Sequence, residues 1–292
     1  MKMDVFDVGH GACTVLEAPN GRQIMIDCGF RSAPSYWWPS TYFYGKSFDA
    51  LILTNLDEDH VGDFRDVRKN VQVKTAWINN TITAANLLTM KQDGMRDGVK
   101  AVYEYLSNPA ALNIGLDLSP FTVQLFRNPY GTFMDTNNLS LVAFVEYGNF
   151  CALFPGDLET AGWRTLLQSQ QVKQMLYKVN VFMASHHGRE NGCYDEVFDY
   201  CRPDCFIMSD KEKVHDTQET TDWYRQRANG LIRTSTASWL IPEKRYVFTT
   251  RNDGCITLDV ELQGAFTLQT CSNRQDQNLM LNRSLVAALA GR

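Results

Sequence analysis

The chain is 292 residues long, carries a formal net charge of -5, and is 44% hydrophobic and 21% charged. Those values exclude a disordered or collagen-like chain, a short scaffold that needs disulfide staples and a globally basic nucleic-acid binder. No uncharged apolar run approaches the ~18 residues that span a bilayer. The acidic start Met1-Lys2-Met3-Asp4-Val5-Phe6-Asp7 lacks a signal-peptide core, so a cytoplasmic protein without membrane contact is expected.

Apolar and polar residues alternate over the first thirty positions. This predicts strands at Met3–Val8, Ala12–Ala18 and Arg22–Asp27, with a hairpin turn at Pro19-Asn20-Gly21. An aromatic insertion follows at 31–47, where Tyr36, Trp37, Trp38, Tyr42, Phe43 and Tyr44 crowd around Pro39-Ser40-Thr41. Phe48–Leu53 reads as a buried strand, Val71–Ile78 as another, and 82–107 as mostly helical. Strands are expected at Phe121–Arg127, Ser140–Tyr147 and Phe150–Phe154, then an amphipathic helix at Glu159–Met175 and a strand at Val179–Ala184. A short helix at Glu196–Tyr200, a strand at Cys205–Ser209 and a helix at Gln218–Asn229 precede a strand-rich stretch, 231–268. This order predicts one α+β domain over 1–270, built of packed sheets covered by helices. Residues 271–292 form a tail that either docks as a helix from Asn278 to Leu289 or frays.

Eight cysteines are present. Several sit in apolar runs such as Phe150-Cys151-Ala152-Leu153-Phe154, so buried reduced thiols are expected rather than a disulfide framework or a zinc knuckle at Cys201–Cys205.

The chemistry collects at strand ends. Asn55-Leu56-Asp57-Glu58-Asp59-His60 follows one predicted strand, Gly156-Asp157 a second, and His186-His187 a third. Carboxylates and imidazoles converging from three strand ends suit a divalent metal. Between Arg225 and Arg251, six basic residues (Arg225, Arg227, Arg233, Lys244, Arg245 and Arg251) face one acid, Glu243. The stretch is either a solvated face or a groove for a phosphate backbone. Trp37 and Trp38 either stack bases or pack as a loop.

Several segments together resemble the metallo-β-lactamase superfamily, in the branch of the hydrolase domain of ComEC-type competence proteins. Asp7-Val8-Gly9-His10-Gly11 resembles its DVGQGD opening, with His10 in place of Gln. Ile26-Asp27-Cys28-Gly29 resembles IDGG, Asn137-Asn138-Leu139-Ser140-Leu141-Val142 resembles NxxSLV, and Phe154-Pro155-Gly156-Asp157-Leu158-Glu159 resembles LTGDLE. Ala184-Ser185-His186-His187-Gly188 resembles AHHGS, His215 stands where a late histidine is usual, and Thr249 through Ile256 resembles the closing strand. The resemblance covers about residues 3–260 and implies an αββα sandwich, two mixed sheets with helices on both outer faces.

It also implies site residues. Asp59 and His60 correspond to ligands of the second half-site, Asp157 to the carboxylate bridging two ions, and His186 to the late histidine ligand. The HxHxDH motif has become Asn55-x-Asp57-x-Asp59-His60, so both histidines of the first half-site are gone. Asp57 can still offer oxygen and Asn55 does so weakly. The centre is therefore expected to be a rebuilt, oxygen-rich one for up to two ions, Mn²⁺ or Mg²⁺ ahead of Zn²⁺. The alternative is a decayed scaffold. In a working site Asp59 orients the attacking water, and His187 or His215 protonates the leaving oxygen. The implied activity is phosphodiester hydrolysis, with DNA or RNA as first substrate and a gating protein partner in a defence system. A small-molecule ester or cyclic-nucleotide hydrolase is the other enzymatic reading.

Overall fold

Alternation in the first 27 residues produces three antiparallel strands, Lys2–Val5, Thr14–Glu17 and Gln23–Ile26. Met3 lies opposite Leu16 and Leu16 opposite Ile24, so one face of the ribbon is continuously apolar and is buried. A one-residue slip would turn that face to solvent, which fixes the register. Ala50–Ile52 and Ala76–Trp77 add in parallel beyond Gln23–Ile26, and Ile256–Val260 and Phe266–Thr270 add antiparallel beyond Lys2–Val5. The result is a seven-stranded mixed sheet. The computed structural model describes residues 1–32, 35–108, 117–211, 219–232 and 244–271. His215, Arg233 and the tail helix expected at 278–289 lie outside them.

A second, six-stranded sheet runs Val247–Thr249, Cys205–Met208, Val181–Met183, Phe150–Phe154, Leu141–Tyr147, Phe121–Arg127 in space. The first four strands are parallel and the last three antiparallel. Leu141–Tyr147 and Phe150–Phe154 are apolar on both faces because both are covered. Ala143, Val145, Ala152 and Phe154 meet Met3, Leu16, Ile24 and Ile52 between the sheets. Val142, Phe144, Leu153 and Phe206 face Trp163, Val172 and Leu176 of the outer helices. On the far side of the molecule Met25, Leu51 and Leu53 pack on Phe64, Leu87, Val99 and Val102. Helices thus cover both outer faces of the sheet pair, the αββα sandwich.

Several expected elements are shorter or divided. Asp49 interrupts the Phe48–Leu53 strand because its carboxylate turns in to take Arg22 at 2.8 Å, the Gln23 N–H at 2.9 Å and Lys74 at 2.7 Å. The same contact ends Gln72–Val73 before Ala76–Trp77 begins. The helical 82–107 stretch is Ala84–Met90 and Asp97–Leu106, separated by a turn in which Gly94 adopts φ +118. Glu159–Met175 is likewise two helices, Thr160–Leu166 and Gln170–Leu176. Ser169 caps the second by accepting the Val172 N–H. Of the helix expected at Gln218–Asn229, the described residues 219–229 are helical over Thr221–Arg225. Among the described residues no disulfide joins the eight cysteines, and Cys13, Cys28, Cys151, Cys201 and Cys205 are buried.

The aromatic insertion is packed rather than presented. Trp37 stacks on Phe6 with centroids 4.7 Å apart, and Trp38 lies flat on Phe30 at 3.8 Å. Each of these rings therefore has one face covered by the protein's own aromatics, while Tyr36 and Tyr44 are the exposed ones. Pro39–Tyr42 forms a helical turn tied to the body by Asp63, which accepts the Ser40 N–H at 2.6 Å and the Ser40 hydroxyl at 3.0 Å. Burial raises the Asp63 carboxyl to about 6, against the Ser40 bonds that favour the anion. A carboxyl pKa raised on folding stabilises the fold below the unfolded value, and that gain is lost as pH rises through about 6. Between about pH 4 and about pH 7 the native chain should therefore lose up to ~3 kcal/mol relative to Asp63→Asn. Urea unfolding of both proteins at each pH tests this; parallel profiles would contradict it.

Candidate metal centre

The parallel strands of both sheets end on one edge of the sandwich, and their following turns carry the polar groups. Gln23–Ile26 delivers Asp27, Ala50–Ile52 the turn 54–60, and Phe150–Phe154 Asp157. Val181–Met183 delivers His186 and His187, and Cys205–Met208 delivers Ser209 and Asp210. A short helix, Glu58–Val61, places Asp59 and His60. Gly156 turns at φ +59 with Thr54 behind it, and the Asp157 N–H then donates to the Ser140 hydroxyl at 3.1 Å.

Asp59, His60, Asp157 and His187 each bring one ligand atom into a group whose members all lie within 4.8 Å of one another. His60 is fully inside. Its Nδ1 lies 2.9 Å from Asp27 Oδ2 and its Nε2 3.0 Å from Asp157 Oδ1. Asp27 itself adopts φ +59 and also accepts the Thr54 N–H at 2.7 Å, so it is locked before it meets the imidazole. His187 Nδ1 sits 2.7 Å from the Ser209 carbonyl. A carbonyl only accepts, so Nδ1 carries a proton and Nε2 of the neutral ring keeps its lone pair. That Nε2 is buried without a hydrogen-bond partner, 3.3 Å from Asp59 Oδ2 and 3.4 Å from Asp157 Oδ1.

The electrostatics match the geometry. Burial opposes charge on His60 and His187, yet the facing carboxylates, Asp157 first, outweigh it and raise both pKa values. Burial likewise opposes the charge on Asp157, but His60 and His187 hold its carboxyl down at about 2. Asp59 is held below the ordinary carboxylate range by His187, His60 and His10 in spite of burial. Two imidazole nitrogens and two carboxylate oxygens, one nitrogen unpartnered, fit a divalent transition ion.

The structure redistributes the expected site residues. His187, and not His186, joins the cluster. Both take left-handed backbone conformations, φ +54 and +50, and this turn points His187 at Asp59. His186 stands on the other side of Asp157, 3.8 Å from its Oδ2 and 3.6 Å from Glu159. Burial, opposed by Asp157, lowers the His186 pKa. Asn55 is committed elsewhere: its oxygen accepts the Asp57 N–H at 2.7 Å, and its amide donates to Thr136, Asn137 and Ser140. Asp57 pairs with Lys91 and with the Thr136 hydroxyl at 2.8 Å, outside the four-residue group. His10, noticed in the sequence only as a departure, stands 3.3 Å from Asp59 and 3.5 Å from Asp210. Arg189, also unforeseen, lies 3.4 Å from His10.

The basic stretch is largely self-paired. Arg251 bonds Asp210 at 3.0 Å, Arg245 grips Asp253 with both nitrogens, and Arg227 pairs with Asp195 and covers the Trp223 ring at 3.9 Å. Arg225 is exposed, 4.0 Å from Asp222. Among the described residues the stretch is therefore not a run of unpaired cations.

Residues 6–165 match the model of the metallo-beta-lactamase superfamily. The chain belongs to that superfamily. Its members are generally metal-dependent hydrolases. The chain is 25% identical over 229 residues to ComE operon protein 3 of Bacillus subtilis (strain 168), a match covering 71% of this chain. It spans only 28% of that relative's length. Among solved structures, it is similar to CmlA, a diiron beta-hydroxylase from Streptomyces venezuelae, with a TM-score of 0.46, 13% identity, 76% of this chain and 50% of the other. It is also similar to a diphosphatase from the PhnP family, with a TM-score of 0.43, 11% identity, 89% of this chain and 98% of the other. No helix of the described residues is long and apolar enough to cross a membrane.

Proposed function

We propose that the chain is a metal-dependent phosphodiester hydrolase whose ion is held by Asp59, His60, Asp157 and His187. The observation that carries this is the convergence of one ligand atom each from Asp59, His60, Asp157 and His187 within 4.8 Å of one another. Two imidazoles in the set favour Mn²⁺ or Zn²⁺ over Mg²⁺, which prefers all-oxygen ligands.

A divalent ion bound there would supply Lewis acidity at a phosphoryl oxygen and a nucleophilic water at neutral pH. The protein's part is positional. Asp27 and the Ser209 carbonyl hold the two imidazoles by Nδ1, so that Nε2 of both rings faces Asp157. Asp59 lies between His10 and His187, which sets where its oxygens point. Arg189, beside His10, brings a guanidinium suited to an anionic phosphoryl group.

Similarity to part of a competence protein supports nucleic acid as the first substrate class, and a gating protein partner remains part of the proposal. The paired arginines and the stacked Trp37 and Trp38 favour a second reading, a small phosphodiester such as a cyclic nucleotide. Metal-stripped protein, reloaded separately with Mn²⁺, Zn²⁺ and Mg²⁺, should be assayed on single- and double-stranded DNA, RNA, a cyclic dinucleotide and a chromogenic phosphodiester. Metal-dependent cleavage of at least one is expected, with Mn²⁺ ahead of Mg²⁺. Metal-loaded protein that cleaves none of them contradicts the hydrolase reading.

A further inference from the structure

The superfamily resemblance leads to an expectation of two ions, but the first half-site does not fit one. Asn55 spends both ends of its amide on neighbouring protein groups. Asp57 directs one oxygen, Oδ1, to the Lys91 ammonium and the Thr136 hydroxyl together, and Lys91 also donates to Thr136 at 3.3 Å. Asp57 immediately precedes the helix carrying Asp59 and His60, so the ammonium sits one carboxylate away from the cluster. Lys91 is the first residue past the Ala84–Met90 helix, and that helix end sets its reach. What remains on this side of Asp157 is His186, 3.8 Å away, and Glu159, 3.6 Å from His186, whose Oε1 already accepts the Asn137 and Asn191 amides at 3.0 and 2.7 Å, a poor donor set for a second ion.

We propose that Lys91 takes the place of a metal: the centre holds one divalent ion, and the Lys91 ammonium, paired to Asp57, is its second positive charge. The inference rests on the metal-centre reading above. A second ion beside Asp57 would meet an ammonium at close range, and like charges in a partly desolvated site repel strongly. Asp57 and Lys91 are each only partly exposed, with 29% and 23% of their side-chain surface accessible. The pair is therefore partly open to solvent rather than sealed in the core. A lysine is a suitable substitute because it binds phosphate as a point charge.

Metal content of chelator-stripped protein titrated with Mn²⁺, and separately with Zn²⁺, decides the matter without reference to activity. The native chain should bind about one equivalent, and Asp57→Asn should still bind about one, because Asp57 serves Lys91 and not the ion. Asp157→Ala should bind none tightly. The double variant Asn55→His with Lys91→Gln restores a donor and removes the ammonium while keeping a hydrogen bond to Thr136, and it should take up a second equivalent. Circular dichroism confirms that each variant is folded. Two equivalents in the native chain, loss of the ion in folded Asp57→Asn, or a folded double variant that stays at one equivalent would each overturn the role of Lys91 while leaving the metal centre standing. A native chain that binds no ion overturns both.

Discussion

Asp157→Ala should lower phosphodiester kcat/KM by ~10³-fold or more, equivalent to ~4 kcal/mol of transition-state stabilisation. Asp157 is 3% exposed and faces His60 at 3.0 Å and His187 at 3.4 Å. It is the carboxylate common to both imidazoles, so its loss removes an oxygen ligand and half of the negative charge facing the ion. The remaining Asp59, His60 and His187 make a three-donor set with one carboxylate. The tight ion should be lost, and rate should go with it. The fold should survive, because Asp157 lies in a turn at the sandwich edge and its apolar neighbours stay packed. Metal analysis, steady-state kinetics and circular dichroism on one preparation check the three statements together. Native-like kcat/KM would remove Asp157 from the centre.

Gly29→Ala should do nearly as much without touching a polar group. A Cβ there would lie 2.2 Å from the Asp59 carbonyl oxygen and 2.9 Å from Ala12 backbone atoms. Backbone has to give way, since no flexible side-chain end is involved. The segments it would part are stitched together: Gly29 N–H donates to the Ala12 carbonyl at 2.8 Å, Ala12 N–H to the Asp59 carbonyl at 3.1 Å, and Cys28 N–H to the His60 carbonyl at 2.8 Å. Pushing the Asp59 carbonyl away by about 1 Å displaces the helix that holds both Asp59 and His60, and a displacement of that size costs ~10²-fold in rate. Overpacking should also cost ~1–3 kcal/mol of stability. Thermal unfolding and metal affinity measured on this variant should both fall. Unchanged metal affinity would show that the glycine contact does not position the centre.

The strand ends were legible because each lies at a change from apolar periodicity to a polar cluster: Leu51-Ile52-Leu53 into Thr54–His60, Phe154 into Gly156-Asp157, and Met183 into His186-His187. The choice between His186 and His187 was not legible. Both residues leave the strand conformation for positive φ, so alternation no longer says which imidazole turns inward. The engagements of Asn55 and Asp57 were not legible either: Asp57 pairs with Lys91, 34 positions away, and Asn55 bonds the Thr136–Ser140 turn, and no local spacing reveals either partner. For the basic stretch, two counter-charges are remote in the chain, Asp195 32 residues from Arg227 and Asp210 41 from Arg251, while Asp222 and Asp253 lie just outside its ends. A linear charge count sees the cations and not their partners. Asp49, Gly94 and Ser169 divided elements that hydrophobic periodicity alone would have joined.

The arrangement proposed above puts one divalent ion among Asp59, His60, Asp157 and His187. Anomalous diffraction from crystals of the native chain grown with Mn²⁺, recorded on either side of the manganese edge, locates the ion without any assay. A single manganese peak is expected within ~2.0–2.4 Å of His60 Nε2, His187 Nε2 and an oxygen of each carboxylate. A peak on Asp57 and His186 instead, or none at the four-residue cluster, would contradict it.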